Sequence, residues 1–210
     1  MAIDLRELVA PEHTAVLTME CQRGVVGDLA TMTQLRDIVM AKGSLDAAGV
    51  LCRRARHAGA QVVHCTAEFR SDLRGSTANC RLLAASKKMA EAGDGLTSGT
   101  PSVEVVPELD QQPSDIVIPR YHGLTPFTAT SLDQILRNLG VTTIIAVGQS
   151  VNVGLTGLVL SGVDLGYQVV VPTDAVAGIP ADYADAAIQH CFGYLATLTT
   201  TEDIVGAWDG

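Results

Sequence analysis

Three short stretches of the sequence end apolar runs with groups that could bind an acid and move a proton. Glu20 ends the first run, Arg120 ends a later one, and the turn Gln149-Ser150-Val151-Asn152 ends a third. A carboxylate and a guanidinium beside a helix N-terminus could bind an acidic group and transfer a proton. A strand-end ion pair followed by an ordinary helix cap explains the same residues equally well.

The apolar runs themselves predict the elements that position these groups. Runs 144–147 and 168–171 flank a stretch rich in small residues, 154–165. This order predicts two parallel strands, buried on both faces and joined by a right-handed helical crossover. Further strands are predicted at 14–20, 61–66 and 115–119. The fold class is therefore α/β, a three-layer sandwich with a central, mostly parallel β-sheet, in which ligands bind beyond the carboxyl ends of the strands.

Helices are predicted between these strands. The predicted helices span 44–57, 82–90, 131–139 and 180–195, the third opened by a capping box at Ser131. We expect residues 21–43 to be irregular and residues 201–205 to add a short edge element. Asn152 is predicted to cap the helix after the turn, with the next backbone amides pointing into the site.

Composition limits the class of protein. A chain of 210 residues with 47% hydrophobic residues predicts one domain, 1–210. Its net charge of −9 argues against nucleic-acid binding, and no apolar run is long enough to cross a membrane. The five cysteines are scattered and lack metal-ligand spacing. We therefore expect a cytoplasmic protein with no metal and no cofactor.

Seven sequence pieces, in order, resemble the isochorismatase-like (cysteine hydrolase) superfamily. They are VLTMECQ (16–22), LTSGTPSVEVVPEL (96–109), DIVIPR (115–120), FTATSLDQILRNLGV (127–141), VGQSVNVG (147–154), GYQVVVPTDAVAG (166–178) and TTTEDIV (199–205). The resemblance implies the isochorismatase-like hydrolase fold, which is the sandwich predicted above. It also implies a homodimer or homotetramer, in which 21–43 and 67–99 are candidates to cover a neighbour's pocket.

The resemblance also places the family's Asp–Lys–Cys triad on this sequence. The aspartate position falls on Glu20, and the lysine position falls on Arg120 or, without one inserted residue, on Tyr121. The cysteine position falls on Gly154. Glycine offers no thiolate, so no covalent acyl intermediate can form there. Arginine keeps the positive charge of lysine but cannot act as a general base.

VGQSVNVG (147–154) resembles most closely the branch of the family that lacks the nucleophilic cysteine. That branch implies hydrolysis of a small carboxylated metabolite, including enol ethers, by the acid alone. Glu20 would donate the proton, Arg120 would bind an anion and Gly154 would occupy the position of the cysteine. The resemblance further implies a cis peptide bond between Gln149 and Ser150.

Eight further residues are predicted to bind a small-molecule substrate. They are Gln22, Tyr121, His122, Phe127, Gln149, Ser150, Asn152 and Val153. Two other functions remain open: a catalytically degenerate member of the family that binds a metabolite or partner, and an amidase with a relocated nucleophile. Cys21 is the nearest thiol to Glu20, but adjacent side chains on a strand face opposite ways, which favours a core position.

Overall fold

The computed structural model describes residues 4–209, and a six-stranded parallel sheet lies at its centre. The strand order is β3-β2-β1-β4-β5-β6. The strands are β1 (Thr14–Met19), β2 (Gln61–Ala67), β3 (Ile116–Arg120), β4 (Thr143–Gly148), β5 (Gln168–Pro172) and β6 (Thr197–Thr199). The order changes direction at β1 and β4, which is where doubly wound sheets open a crevice for ligands.

Helices cover both faces of this sheet. They are α1 (Leu5–Leu8), α2 (Thr33–Lys42), α3 (Ser44–Ala58), α4 (Arg81–Ala92), α5 (Leu132–Asn138), α6 (Thr156–Asp164), α7 (Ala181–Ala187), α8 (Gly193–Leu195) and α9 (Thr201–Trp208). Two π-helical turns (Val151–Leu155 and Ile188–Phe192) and three 3₁₀ turns (Pro11–His13, Pro101–Val103 and Pro107–Leu109) complete the elements. None of the helices within residues 4–209 combines the length and apolarity that crossing a bilayer requires.

Successive side chains of the buried strands point to opposite faces of the sheet, and helices cover both faces, which gives three layers. Every residue of β1 and β4 is buried. Val16 of β1 packs with α3 and α9 on one face, whereas Leu17 packs with α5 and α6 on the other. Both faces of a parallel strand must be apolar when helices cover both sides. The predicted α/β sandwich is therefore confirmed.

Two predictions about the segments around the sheet are wrong. Residues 21–43 are not wholly irregular, because α2 forms within them and buries Leu35 and Val39, four residues apart on one face. Residues 201–205 lie in helix α9, whose first turn is capped by the Thr200 side chain accepting from the Asp203 N–H. The edge strand is β6, just before that cap.

Two helix predictions need smaller corrections. The helix predicted over 180–195 is divided by the π-helical turn that separates α7 from α8. Ser131 does not cap α5: its ψ of 7° is not the extended conformation that a capping hydroxyl needs. The Leu132 N–H instead donates to the Thr130 hydroxyl at 3.3 Å.

Candidate active site

An ion pair joins the ends of two strands. Glu20 directly follows β1, and Arg120 is the last residue of β3, with β2 between them in the sheet. The Arg120 Nη2 donates to the Glu20 Oε1 at 2.5 Å, and its Nε donates to the Gly123 carbonyl at 3.1 Å. Of the two residues that could take the family's lysine position, Arg120 is thus the one that pairs with Glu20.

Glu20 adopts an uncommon backbone conformation. Its φ is 52°, in the left-handed region that side chains with a Cβ rarely enter. Its side chain is 20% exposed, whereas that of Arg120 is 6% exposed. Residues held in such conformations concentrate at functional sites, because the surrounding fold must hold them there.

The ion pair lines a cavity of about 190 Å³. Glu20, Arg120 and Gly154 all contribute to its surface, so the structure brings together the three residues assigned to the triad positions. The rest of the wall is largely apolar and includes Val25, Leu35, Phe69, Leu83, Met89 and Leu124. A largely apolar wall around a few polar groups is typical of small-molecule sites.

The turn after β4 differs from the predicted helix start. The Gln149–Ser150 peptide bond is cis, as the resemblance implied. Asn152 is not the helix cap: it lies inside the π-helical turn, and its Oδ1 accepts from the Ser150 hydroxyl and the Ile179 N–H. The N–H groups of Val153 and Leu155 both donate to the Ser150 carbonyl at 3.0 Å. Those two amides are therefore occupied within the turn, and α6 begins only at Thr156.

The predicted substrate-binding residues divide into two groups. Those that line the cavity are Tyr121, His122, Ser150, Asn152 and Val153. Gln22, Gln149 and Phe127 are not among the described residues that line it. The Gln22 side chain hydrogen-bonds the backbone of Ala67 and Val103. The Gln149 Nε2 points to the Cys21 thiol at 3.5 Å, and Phe127 stacks on Tyr167 at 6.0 Å between ring centroids.

The segment between β2 and β3 covers the cavity of its own chain. Leu83 and Met89 of α4 line it, as does Glu68, the residue after β2. Residues of 21–43 line it as well, including Leu35 of α2. Glu68 is a residue of this site that was not among those predicted from the sequence. Its position directly after a strand that neighbours β1 and β3 was the available signal.

The cysteines are poorly placed to replace a nucleophile at Gly154. Cys21, Cys52 and Cys65 are buried, and burial raises the pKa of each thiol, to about 12 for Cys52 and Cys65. Thiols of this kind are inert, because only the thiolate is nucleophilic. Cys80 is exposed and Cys191 is partly exposed, but neither is among the described residues lining the cavity.

A second polar cluster lies buried beside the sheet. Asp115 receives two hydrogen bonds from Arg56, at 2.7 and 2.9 Å, and one from the Gln112 N–H. The His64 Nε2 is hydrogen-bonded to the Asp115 Oδ2 at 3.2 Å, and its Nδ1 is hydrogen-bonded to the Thr18 hydroxyl at 2.8 Å. Burial lowers the pKa of His64 despite the hydrogen bond to Asp115. His64 therefore belongs to a structural network, which accounts for its polar ring inside the core.

We expect Gly154→Cys to fold and to place a thiol at the cavity wall, where iodoacetamide can reach it. A Cβ at Gly154 would lie 2.8 Å from the flexible end of Met19 and 3.4 Å from the Gln149 carbonyl, so Met19 must shift slightly. Overpacking of this kind costs about 1–3 kcal/mol, and a movable methionine favours the lower end. Urea unfolding gives the stability, and the rate of iodoacetamide labelling gives the reactivity.

Gly154→Ser is the matched control, because it adds a side chain of similar size without a thiol. The two variants should lose similar stability, and only the cysteine variant should label faster than the wild-type protein. A cysteine variant that is strongly destabilised and unreactive would mean that Gly154 is required for close packing.

Comparison with known proteins agrees with this fold. The family model described as the isochorismatase domain matches residues 14–203. A ureidoacrylate amidohydrolase RutB from Rhizobium rhizogenes is 30% identical over 207 residues, which cover 90% of this chain and 81% of that protein. A RutB from Agrobacterium fabrum is also 30% identical, over 90% of this chain and 88% of its own length.

Solved structures share the fold at lower identity. A cysteine hydrolase from Pseudomonas syringae pv. phaseolicola superposes with a TM-score of 0.78 at 24% identity, covering 96% of this chain and 95% of its own. An N-carbamoylsarcosine amidase from Thermoplasma acidophilum superposes with a TM-score of 0.69 at 20% identity, covering 90% and 96%. At these identities the similarity shows a shared fold and nothing beyond it.

Proposed function

The chain belongs to the isochorismatase domain family, and we propose that it is a hydrolase of that family that uses water in place of a cysteine nucleophile. The observation that supports this proposal is the Glu20–Arg120 pair beside Gly154 in one apolar cavity. No cysteine is among the described residues lining that cavity. A carboxylate at the wall of such a site can accept a proton from water and later return it.

In the proposed reaction, Glu20 transfers protons and Arg120 positions it. The ionised Glu20 takes a proton from water as the water oxygen bonds to the electrophilic carbon of the substrate. The protonated Glu20 then donates that proton to the leaving nitrogen or oxygen as its bond to carbon breaks. Arg120 remains protonated throughout and fixes one carboxylate oxygen, which leaves the Glu20 Oε2 for the water.

The sequence-based mechanism requires Glu20 to begin as the acid. For an enol ether, Glu20 would protonate the carbon first, water would add to the oxocarbenium ion and the hemiketal would collapse. The Glu20 Oε1 accepts a hydrogen bond from the Arg120 Nη2 at 2.5 Å, which is the arrangement expected of a group that begins the reaction as a base. We therefore place the proton-donating step second, after Glu20 has taken a proton from water.

The relatives suggest which substrates to test first. The RutB proteins at 30% identity are named for hydrolysis of a ureidoacrylate, which has amide-like C–N bonds. Small amides and ureides are therefore the first panel, and vinyl ethers are the second. The thiolate chemistry of the cysteine hydrolases is not proposed, because Gly154 supplies no sulfur.

The experiment measures hydrolysis before and after all accessible thiols are alkylated with iodoacetamide. We expect turnover to survive alkylation and intact-protein mass spectra to show no acyl adduct during turnover. Loss of turnover on labelling of one cysteine would instead indicate an amidase with a relocated nucleophile. Ligands that raise the melting temperature but are never hydrolysed would indicate a binding protein.

A further inference from the structure

We propose that the cavity selects a small cationic substrate and that Glu68 recognises its positive group; this inference rests on the proposed function. Glu68 follows β2, and its N–H donates to the Arg120 carbonyl at 2.9 Å, which fixes its backbone beside the ion pair. Its carboxylate accepts from the Thr66 hydroxyl at 3.1 Å and the Ser98 hydroxyl at 2.7 Å. Two neutral donors therefore hold this carboxylate in one orientation at the cavity wall.

The charges around the cavity do not balance. Three acidic residues line it, Glu20, Glu68 and the exposed Asp94, together with Arg120 and His122. Arg120 is paired with Glu20, whereas Glu68 has no salt-bridge partner within residues 4–209. The basic residues of α4 are not among the residues that line the cavity. The wall thus presents negative charge that a cationic ligand would compensate.

Arg120 is poorly available to an anion. Its Nη2 and Nε donate to Glu20 and Gly123, and its Nη1 is buried away from solvent without a partner among the described residues. A substrate carboxylate would have to displace Glu20 and would also face Glu68. This charge distribution argues against the carboxylated substrate that the sequence analysis predicted.

The apolar part of the cavity wall indicates the size and polarity of the rest of the substrate. Phe69, Leu83 and Met89 supply apolar wall, and the volume of about 190 Å³ limits the size of the ligand. A compact apolar body would contact these side chains, while an amidinium, guanidinium or ammonium group would contact Glu68. Hydrogen bonds to a charged group are stronger than neutral ones, so Glu68 would contribute most of the discrimination between cationic and neutral ligands.

Benzamidine, benzamide and benzoate test this proposal, because they share one apolar ring and differ in charge. Calorimetric titration of the wild-type protein should give the tightest binding for benzamidine, by about 10-fold over benzamide, and the weakest for benzoate. Glu68→Gln keeps the shape and removes the charge: its oxygen still accepts from one of the two hydroxyls, and its NH₂ group can donate to the other. It should lower the affinity for benzamidine by about 10-fold and change the affinity for benzamide by less than about 3-fold.

Glu202→Gln is the control, since it removes the same charge from an exposed position on α9 outside the cavity. It should leave all three affinities unchanged. The proposal is overturned if benzoate binds as tightly as benzamidine in the wild-type protein, a result that requires no variant to fold. It is also overturned if Glu68→Gln retains the preference for benzamidine, or if no probe binds at up to about 10 mM.

These binding measurements are separate from the test of hydrolysis. None of the three probes has to be turned over, so an absence of catalysis would leave the charge preference standing. Conversely, hydrolysis that survives alkylation would stand even if the cavity preferred neutral or anionic probes. The two experiments therefore fail independently.

Discussion

Turnover by Glu20→Gln is expected to fall by about 100- to 10,000-fold relative to the wild-type protein, the range for loss of a general acid or base. Glutamine occupies the same volume, and its carbonyl oxygen can still accept from the Arg120 Nη2 that now donates to the carboxylate at 2.5 Å. It cannot accept a proton from water or return one to the leaving group. The loss should therefore appear in kcat rather than only in KM.

Glu20→Asp tests whether the position of the carboxyl group matters as well as its presence. Aspartate can transfer a proton, but its carboxylate is about 1 Å or more short of the site, a displacement that can cost about 100-fold. Urea unfolding of each variant shows whether the cavity remains folded without the full ion pair. Turnover in Glu20→Gln equal to that of the wild-type protein would remove Glu20 from the mechanism.

The strands could be predicted from the sequence because parallel strands buried on both faces leave a continuous apolar run. The runs 14–20 and 144–147 mark β1 and β4 to within about one residue at each end. Helix α2 gave no comparable signal. It buries only Leu35 and Val39 and follows a turn rich in glycine, so its pattern is weak until the core that it contacts is known.

The meeting of Glu20 and Arg120 could be predicted because the carboxyl ends of parallel strands share one edge of the sheet. The directions of nearby side chains could not. Gln22 turns towards the backbone of Ala67, 45 residues later, because buried peptide groups need partners. Glu68 depends in the same way on Ser98, 30 residues away, which only the folded chain places beside it.

In the turn at 149–155, too, the direction of a side chain depends on a distant residue and cannot be predicted from the local sequence. A polar turn before a stretch of small residues predicts a capped helix, and Asn152 is a favoured cap residue. The π-helical turn delays the start of α6 and directs Asn152 to the Ile179 N–H. That partner lies 27 residues further along the chain, beyond the reach of any local pattern.

The largest loss of stability is expected from Asp115→Asn, at about 3–5 kcal/mol in the free energy of unfolding, the range for breaking a buried ion pair. The Asp115 side chain is 1% exposed, and that of Arg56 is 15% exposed. Asparagine replaces one carboxylate oxygen with an NH₂ group. Whichever oxygen is replaced, the NH₂ group cannot accept the hydrogen bond that Arg56 donates there, and the largely buried guanidinium is left without its counter-charge.

Asp72→Asn is the matched control, because Asp72 pairs with Arg70 in an exposed position where water screens the charges. It should change the free energy of unfolding little. A similar loss from both variants would mean that the buried cluster around Asp115 contributes no more than an exposed ion pair.

The pH dependence of the difference between Asp115→Asn and the wild-type protein identifies its cause. Burial alone would raise the pKa of Asp115, but the hydrogen bonds from Arg56, the Gln112 N–H and His64 hold it below its usual value. The stability from this ionised group is therefore present above the unfolded pKa of about 3.9 and is lost as the pH falls through the folded pKa. Urea unfolding from pH 7 to pH 3 should show the difference constant at first and shrinking below about pH 4, where the carboxyl of the unfolded wild-type chain takes up a proton before the folded one does. A difference that does not change with pH would mean that shape, and not charge, makes Asp115 necessary.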